Sequence, residues 1–337
     1  MNKKSLNLLK KLCEAHSTPG DEKEIADILK KRWMKAGWTV NTHGTYAVSA
    51  GKRTCRNGKH PRLLICAHMD SPGFITDRHS WNFFKQKNTA QIHIVPLGHP
   101  CFEEDSAKGK LKCRNGIFSG IIHKTISDKE TSYFFEMPLA EAENADLSIG
   151  DRICYETDFS VEDNLIHAPF LDNRIGCWML NRLAELKPGW NKRCDIILGA
   201  AGSEEMTGFG AMVLAAEVKA ELVIVLDATY EAEEQNVLIG KGPAVTLSDN
   251  SVLLSPHRRD RIRQIMMKAG VPLQFEAYNY SGTDASAFPR QGCTATVIPL
   301  LIPTRGNHSP VETADINDLM NWEKAVRALE NKWKSVY

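Results

Sequence analysis

The chain has 337 residues, 42% of them hydrophobic and 25% charged, with 42 Lys and Arg against 41 Asp and Glu. That length exceeds one small core and suits about two domains. The near-neutral balance, with no extended basic block, argues against a nucleic-acid partner, and no apolar run nears the roughly 20 residues that span a bilayer.

The first thirteen residues begin with Lys3 and Lys4, and their apolar positions are interrupted by Lys10 and Lys11. This reads as an amphipathic helix and not as a signal peptide. The nine cysteines are scattered, without a C-x-x-C pair. Cys66, Cys177 and Cys194 lie in apolar segments and behave as small buried hydrophobes. The expectation is a reduced compartment, the cytoplasm, and no thiolate metal site.

Residues 6–16 and 22–36 are predicted helices, the second carrying Ile25, Ile28, Leu29 and Trp33 at helical spacing. The turn between them, Ser17-Thr-Pro-Gly-Asp21, has helix-start chemistry. Residues 38–40 and 46–49 are short strands, and 52–60 form a basic polar turn. Residues 63–67 form a buried strand ending in His68-Met69-Asp70. A histidine there is either a satisfied core residue or a metal ligand whose tautomer the Asp70 carboxylate fixes by accepting its other N–H.

From residue 74 to about 163 the texture changes. Strand-like runs at 91–96, 111–122, 132–137 and 152–155 alternate with turns, with one helical turn near 139–145. This reads as a mostly β insertion, and its histidines (His79, His93, His99, His123) share no spacing and receive no role. Asp172 then opens a helix that stops at Pro188-Gly189. Position makes it a helix cap or a carboxylate that bridges two cations.

Residues 197–201 form a second buried strand, followed directly by Glu204-Glu205, then glycines, then an apolar-periodic segment at 211–218. In an open α/β sheet, ligands bind beyond the carboxyl ends of the strands. Adjacent acids there either cap a helix or serve a cation, one as ligand and its unligated neighbour as acceptor of a proton from the cation's water. Residues 222–226 are a third buried strand, terminated by Asp227. A basic amphipathic helix at 256–268, a strand at 271–278, a glycine turn at Ser281-Gly-Thr-Asp-Ala-Ser-Ala287 and a strand at 295–301 follow. The loop from Pro303 to Glu312 carries Arg305 and His308, and a helix at 316–333 closes the chain with Leu319, Trp322, Ala325, Val326 and Leu329 on one face.

Strand ends thus deliver His68, Glu204-Glu205 and Asp227, and loops deliver Asp172 and His308. All are oxygen or nitrogen donors suited to zinc, cobalt or manganese. Two histidines and three acids can hold two cations if one Asp bridges them, and such a pair clamps a water nucleophile beside a carbonyl oxygen.

In Ser17-Thr-Pro-Gly-Asp-Glu22, Ala67-His-Met-Asp70, Gly150-Asp151, Leu171-Asp-Asn-Arg-Ile-Gly-Cys177, Glu204-Glu-Met-Thr-Gly-Phe-Gly-Ala211, Asp227, Gly282-Thr-Asp-Ala285 and His308-Ser-Pro-Val-Glu312, over nearly its whole length, the sequence resembles the tetrahedral-aminopeptidase and glutamyl-aminopeptidase family of cocatalytic-metal peptidases. The resemblance implies a zinc-aminopeptidase-like α/β/α sandwich built from residues 1–73 and 164–337, with residues 74–163 as an inserted β-rich dimerisation domain. It implies two divalent cations per chain, zinc before cobalt or manganese. His68 and Asp227 would hold one, Glu205 and His308 the other, with Asp172 bridging. Glu204 would be the general base and Asp70 the partner of His68. It further implies a peptide substrate and a homo-oligomer, either a dimer or a dodecamer of dimers, while composition has already argued against a membrane or nucleic-acid partner.

Three stretches depart from the family pattern. Ser71-Pro72-Gly73 stands where Glu-Ile-Gly is common, Thr207 and Phe209 stand where a glycine and an arginine are usual, and Arg305-Gly306-Asn307 precedes the last histidine in place of Arg-Tyr-x. These bear on the substrate pocket and on assembly, not on the metal or base positions. The expected function is removal of N-terminal residues from peptides. The same cluster also suits deacylation of N-acyl amino acids, and a retired metal-binding scaffold is the non-enzymatic alternative. A two-carboxylate glycosidase would leave His68 and His308 unexplained.

Overall fold

A computed structural model describes residues 1–52, 61–127, 130–186, 194–278, 281–332 and 334. The expected polar turn at 52–60 falls outside these residues apart from Lys52. So does the expected helix stop at Pro188-Gly189.

Helices α1 (Lys3–Glu14) and α2 (Lys23–Lys35) lead into strands β1 (Thr39–His43), β2 (Ala47–Lys52) and β3 (Arg62–His68). Asn2 starts α1 by accepting the Ser5 amide at 2.9 Å, one of the donors a helix start leaves unpaired. Next come β4 (Gly73–Phe84), β5 (Thr89–Leu97), β6 (Ser106–Cys113), β7 (Gly116–Ser127), β8 (Glu130–Pro138), α3 (Leu139–Asn144) and β9 (Arg152–Tyr155). The run expected as one strand at 111–122 is a hairpin, because the chain reverses between Cys113 and Gly116. Short strands β10 (Ser160–Glu162) and β11 (Leu165–Ala168) precede α4 (Leu171–Glu185).

The remaining elements are β12 (Asp195–Ala201), α5 (Phe209–Glu217), β13 (Leu222–Tyr230), β14 (Ala244–Ser248), α6 (Pro256–Ala269), β15 (Gln274–Ala277), α7 (Ala287–Arg290), β16 (Thr296–Arg305), β17 (Glu312–Asp315) and α8 (Ile316–Asn331). Ser255, Pro256 and Gly270 bound α6 as a cap, a first-turn proline and a left-handed stop at φ 64°.

One mixed sheet runs β1-β2-β12-β3-β13-β16-β17-β11-β10, with β14 and β15 attached at β16. Its middle, β12-β3-β13-β16, is parallel. Alternation along β3 divides the core. Leu63, Ile65 and Ala67 pack with α1, α2, α4 and α8, whereas Leu64 and Cys66 pack on the opposite face with α5 and α7. Strands buried on both faces read as unbroken apolar runs, which is why these were visible in the sequence. β4 to β9 close on themselves as a barrel in the order β4-β5-β8-β7-β6-β9, with a core of its own around Phe74, Phe135 and Tyr155. The described cysteines are all free thiols, and among the described residues no helix is long and apolar enough to cross a membrane.

Candidate metal centre

The carboxyl ends of β3, β12 and β13 open onto a cavity of about 600 Å³ lined by His68, Asp172, Glu204, Glu205, Asp227 and His308, among others. His68 ends β3. Its Nε2 lies 3.1 Å from Asp227 Oδ1 and 3.2 Å from Asp172 Oδ1. Asp227 lies within β13, which runs on to Tyr230, and is not the strand's terminus. His308 Nε2 lies 3.4 Å from Glu205 Oε2 and 3.7 Å from Asp172 Oδ2. Asp172 therefore stands between the two histidines with one oxygen toward each. Three ligand-type groups form within 4.8 Å: His68 with Asp172 and Asp227, Asp172 with Glu205 and His308, and His68 with Glu204 and Glu205.

Asp172 does not cap the helix it precedes. Its φ of −80° and ψ of 105° are non-helical, as are those of Asn173. Asn173 takes the capping role, its Oδ1 accepting the Gly176 amide at 2.9 Å, and this leaves the Asp172 carboxylate free to face the cavity. Asn307 donates to Asp172 Oδ2 at 3.2 Å and accepts from Thr304 Oγ1 at 2.8 Å. Glu312, fully buried, accepts the Asp172 amide at 2.7 Å and the His308 amide at 2.9 Å. It thus ties the backbones of two candidate ligands together. The sequence reading set Asn307 among the departures that bear on the substrate pocket and gave Glu312 no role of its own. The available signal was an acid four residues after His308, close enough for its carboxylate to return to the His308 amide.

Asp70 behaves differently from the expectation. The His68 Nδ1 contact at 3.1 Å is to the Asp70 backbone carbonyl, and the carboxylate is 3.7 Å away. That carboxylate instead accepts the Glu204 amide on Oδ1 at 3.0 Å and the Glu205 amide on Oδ2 at 3.1 Å. Asp70 therefore holds the turn that presents both glutamates. Arg174, fully buried, donates to the carbonyls of Leu12, Ser17 and Met69 and so fixes the chain around Asp70.

The barrel reaches the centre. The Cys101 amide, in the loop after β5, donates to the His308 carbonyl at 2.9 Å. A Cβ on Gly98, whose φ is +72°, would lie 3.2 Å from Glu205 Cβ, so the chain passes close to this glutamate. Among the departures from the family pattern, Thr207 and Asn307 line the cavity. Gly306 has φ +72° and no room for a Cβ, which would meet the Val311 carbonyl at 2.7 Å.

Electrostatics agree with a cation site. Burial pushes the Glu204 and Glu205 carboxyls well above their usual range, and neighbouring carboxylates add to the shift. Burial likewise raises Asp227 to about 6 and Asp284 to about 8. Burial opposes charge on His68, yet the carboxylates of Asp227 and Asp172 outweigh it and hold the imidazole well above its normal value. Burial lowers His308 despite the pull of Asp172, favouring the neutral ring that binds metals. Glu205 Oε1 is buried with no hydrogen-bond partner. Crowded carboxylates, orphaned buried oxygens on Glu205 and Asp284 and two imidazoles facing the same acids fit divalent cations. The clustering joins His68, Asp172, Glu204, Glu205, Asp227 and His308 in one cavity, with Asp70 beneath it.

A model of the M42 glutamyl aminopeptidase family matches residues 135–324. The glutamyl aminopeptidase of Lactococcus lactis is 25% identical, over 95% of this chain and 94% of its own. The lysyl aminopeptidase of Pyrococcus furiosus is also 25% identical, over 82% and 83%. Among solved structures, a TET aminopeptidase from a marine sediment thaumarchaeon superposes with a TM-score of 0.86 at 22% identity, over 99% of both chains. The TET1 peptidase of Pyrococcus horikoshii, which can assemble into a tetrahedron or a large octahedral shell, gives 0.80 at 22% identity over 97% and 99%. These neighbours share the mixed α/β fold.

Proposed function

This chain belongs to the M42 glutamyl aminopeptidase family and is an aminopeptidase, a hydrolase acting on peptide bonds; from that premise we propose that it works through two divalent cations, with Glu204 as general base. His68 and Asp227 would hold one cation, Glu205 and His308 the other, and Asp172 both. Zinc is the first candidate. Bound there, the cations would supply Lewis-acid polarisation of the scissile carbonyl and an acidified water. The observation that carries the reading is the placement of Asp172, whose two oxygens lie 3.2 and 3.7 Å from the two histidine nitrogens.

The protein's own groups do the rest. Glu204 shares the cavity with these ligands and takes a proton from the attacking water. It later delivers that proton to the leaving amine. Asn307 orients Asp172 through its amide, and the carbonyl of Asp70 orients His68 through Nδ1. Thr207 and Asn307, on the cavity wall, bear on which N-terminal residue fits.

The architecture we propose is an α/β/α sandwich of residues 1–73 and 164–337, with the barrel region 74–163 inserted as a dimerisation domain. A cytoplasmic homo-oligomer, a dimer or a dodecamer of dimers, completes the proposal. The supporting features are the barrel's separate core and its contact with the His308 loop.

Elemental analysis of purified protein, beside a panel of aminoacyl chromogenic substrates with and without added zinc or cobalt, tests the reading. The expected result is about two metals per chain and chelator-sensitive release of one aminoacyl group. Two metals with cleavage of acylated substrates only would replace it by a deacylase, and two metals with no turnover by a scaffold. No metal after loading would refute the ligand set.

A further inference from the structure

The turn Ser17-Thr18-Pro19-Gly20-Asp21-Glu22 takes no part in the chemistry so far, yet it touches both strand ends that carry it. Ser17 Oγ donates to the Met69 carbonyl at 2.9 Å, between His68 and Asp70. At the other end stands Glu22, 5% exposed. It occupies the N-cap position of α2 but makes no side-chain cap bond. Its Oε1 instead accepts the Gly20 amide at 2.7 Å, the Ser203 amide at 2.9 Å and the Ser203 hydroxyl at 3.1 Å.

Ser203 has φ 61°, a left-handed conformation that costs a residue with a side chain about 1–2 kcal/mol. Something must hold it there. A Cβ on Gly202 would lie 2.9 Å from Glu22 Cδ, so the carboxyl group is seated against that glycine. The next two amides, of Glu204 and Glu205, go to Asp70. Three successive N–H groups, at residues 203 to 205, are thus claimed by two carboxylates from separate parts of the chain. Such a run of amides is an anion-binding concavity, here filled from within.

We infer that Glu22 is a positioning residue of the hydrolytic centre. It locks Ser203 in the left-handed turn and so sets the direction in which Glu204 and Glu205 leave β12. The inference rests on the reading of Glu204 as base and Glu205 as ligand. All three bonds end on one acceptor oxygen. A glutamine keeps that atom.

The test compares Glu22→Ala and Glu22→Gln with the wild type, all loaded with zinc. Amide hydrogen exchange is read on peptides covering Ser203 to Glu205, and kcat, KM and bound zinc are measured in parallel. In Glu22→Ala, exchange at Ser203 should quicken at least tenfold. Its kcat should fall about 10- to 100-fold, the size seen when a group orienting a metal ligand is removed, with KM held and zinc reduced by much less than turnover. Glu22→Gln should restore both protection and most of the turnover. Unchanged exchange in the alanine variant overturns the inference. So does a glutamine variant as impaired as alanine, or a loss of turnover matched by loss of zinc. If the wild type cleaves no aminoacyl substrate, the aminopeptidase mechanism fails while the exchange data still decide whether Glu22 holds the turn.

Discussion

Replacing Asp70 with asparagine separates two roles that a carboxylate behind a histidine can have. In the native protein the carboxylate takes the Glu204 amide on one oxygen and the Glu205 amide on the other, at 3.0 and 3.1 Å. Asparagine retains one acceptor, so in either orientation its amide group faces a backbone N–H. One buried donor is stranded, at a cost of about 1–3 kcal/mol. If the distortion falls on the Glu204-Glu205 turn, that energy corresponds to a loss of about 5- to 150-fold in turnover, at about 1.4 kcal/mol per tenfold. His68 loses much less, because its Nδ1 is bonded at 3.1 Å to the Asp70 backbone carbonyl, which the substitution leaves in place. Asp70→Asn should therefore lose turnover by more than it loses zinc. The assay is kcat and KM on the preferred aminoacyl substrate beside elemental analysis of the same preparation. Turnover within about twofold of wild type, or metal lost in proportion to activity, would refute the reasoning.

Glu204→Gln should retain bound metal and lose turnover by at least about 100-fold, the scale of general-base catalysis; near-wild-type activity would remove Glu204 as the base. The pH dependence of the metal-free protein has a definite sign. Burial pushes Asp227 up to about 6 and Asp284 up to about 8 in the folded protein, against about 4 for an ordinary aspartate. The folded state then holds protons the unfolded state has released, so stability falls as pH rises from about 4 to about 8. Thermal melts across that range should show the decline, added zinc should reverse it at pH 8, and Asp284→Asn should flatten its upper part. Gly210→Ala should destabilise by about 1–3 kcal/mol or more, because the new Cβ would lie 2.2 Å from the Gly202 amide nitrogen; urea unfolding measures it.

The legible parts of the fold were those in which one signal dominates. β3, β12 and β13 are buried on both faces and appear as apolar runs, and α2 and α8 show their buried stripes at helical spacing. β4 went unread because its outer half, from Asp77 to Phe84, mixes charged, polar and aromatic residues as a barrel strand with an exposed face does. The hairpin at Cys113 to Gly116 carried an overlooked signal, since Asn115-Gly116 is a turn pair that favours strand reversal. At the site, His68 and the Glu204-Glu205 pair were legible as side chains unusual at or just beyond a strand end, and Asp227 as a charge in an apolar run that continues past it as β13. Glu22 and Glu312 could be placed only in part, because each binds one nearby amide, of Gly20 and of His308, and one far away in the chain, of Ser203 and of Asp172, which no local pattern marks. Asp172 was ambiguous for a local reason: whether it capped a helix depended on Asn173 next to it, which takes the Gly176 amide instead.

The pairing pattern also sets an order of events. The barrel is made largely of neighbours, with β4 on β5, β6 on β7 and β7 on β8. The strand carrying His68 has no neighbour nearby in sequence, and its partners β12 and β13 begin at Asp195 and Leu222. Contacts between distant segments form slowly, because a long loop must close before they are rewarded. During synthesis the barrel has all its strands once Tyr155 has emerged, while the proposed ligand set stays incomplete until His308 follows. On the proposed ligand set, no chain can complete its centre before its last fifth or so has begun to be made, whatever the state of its barrel.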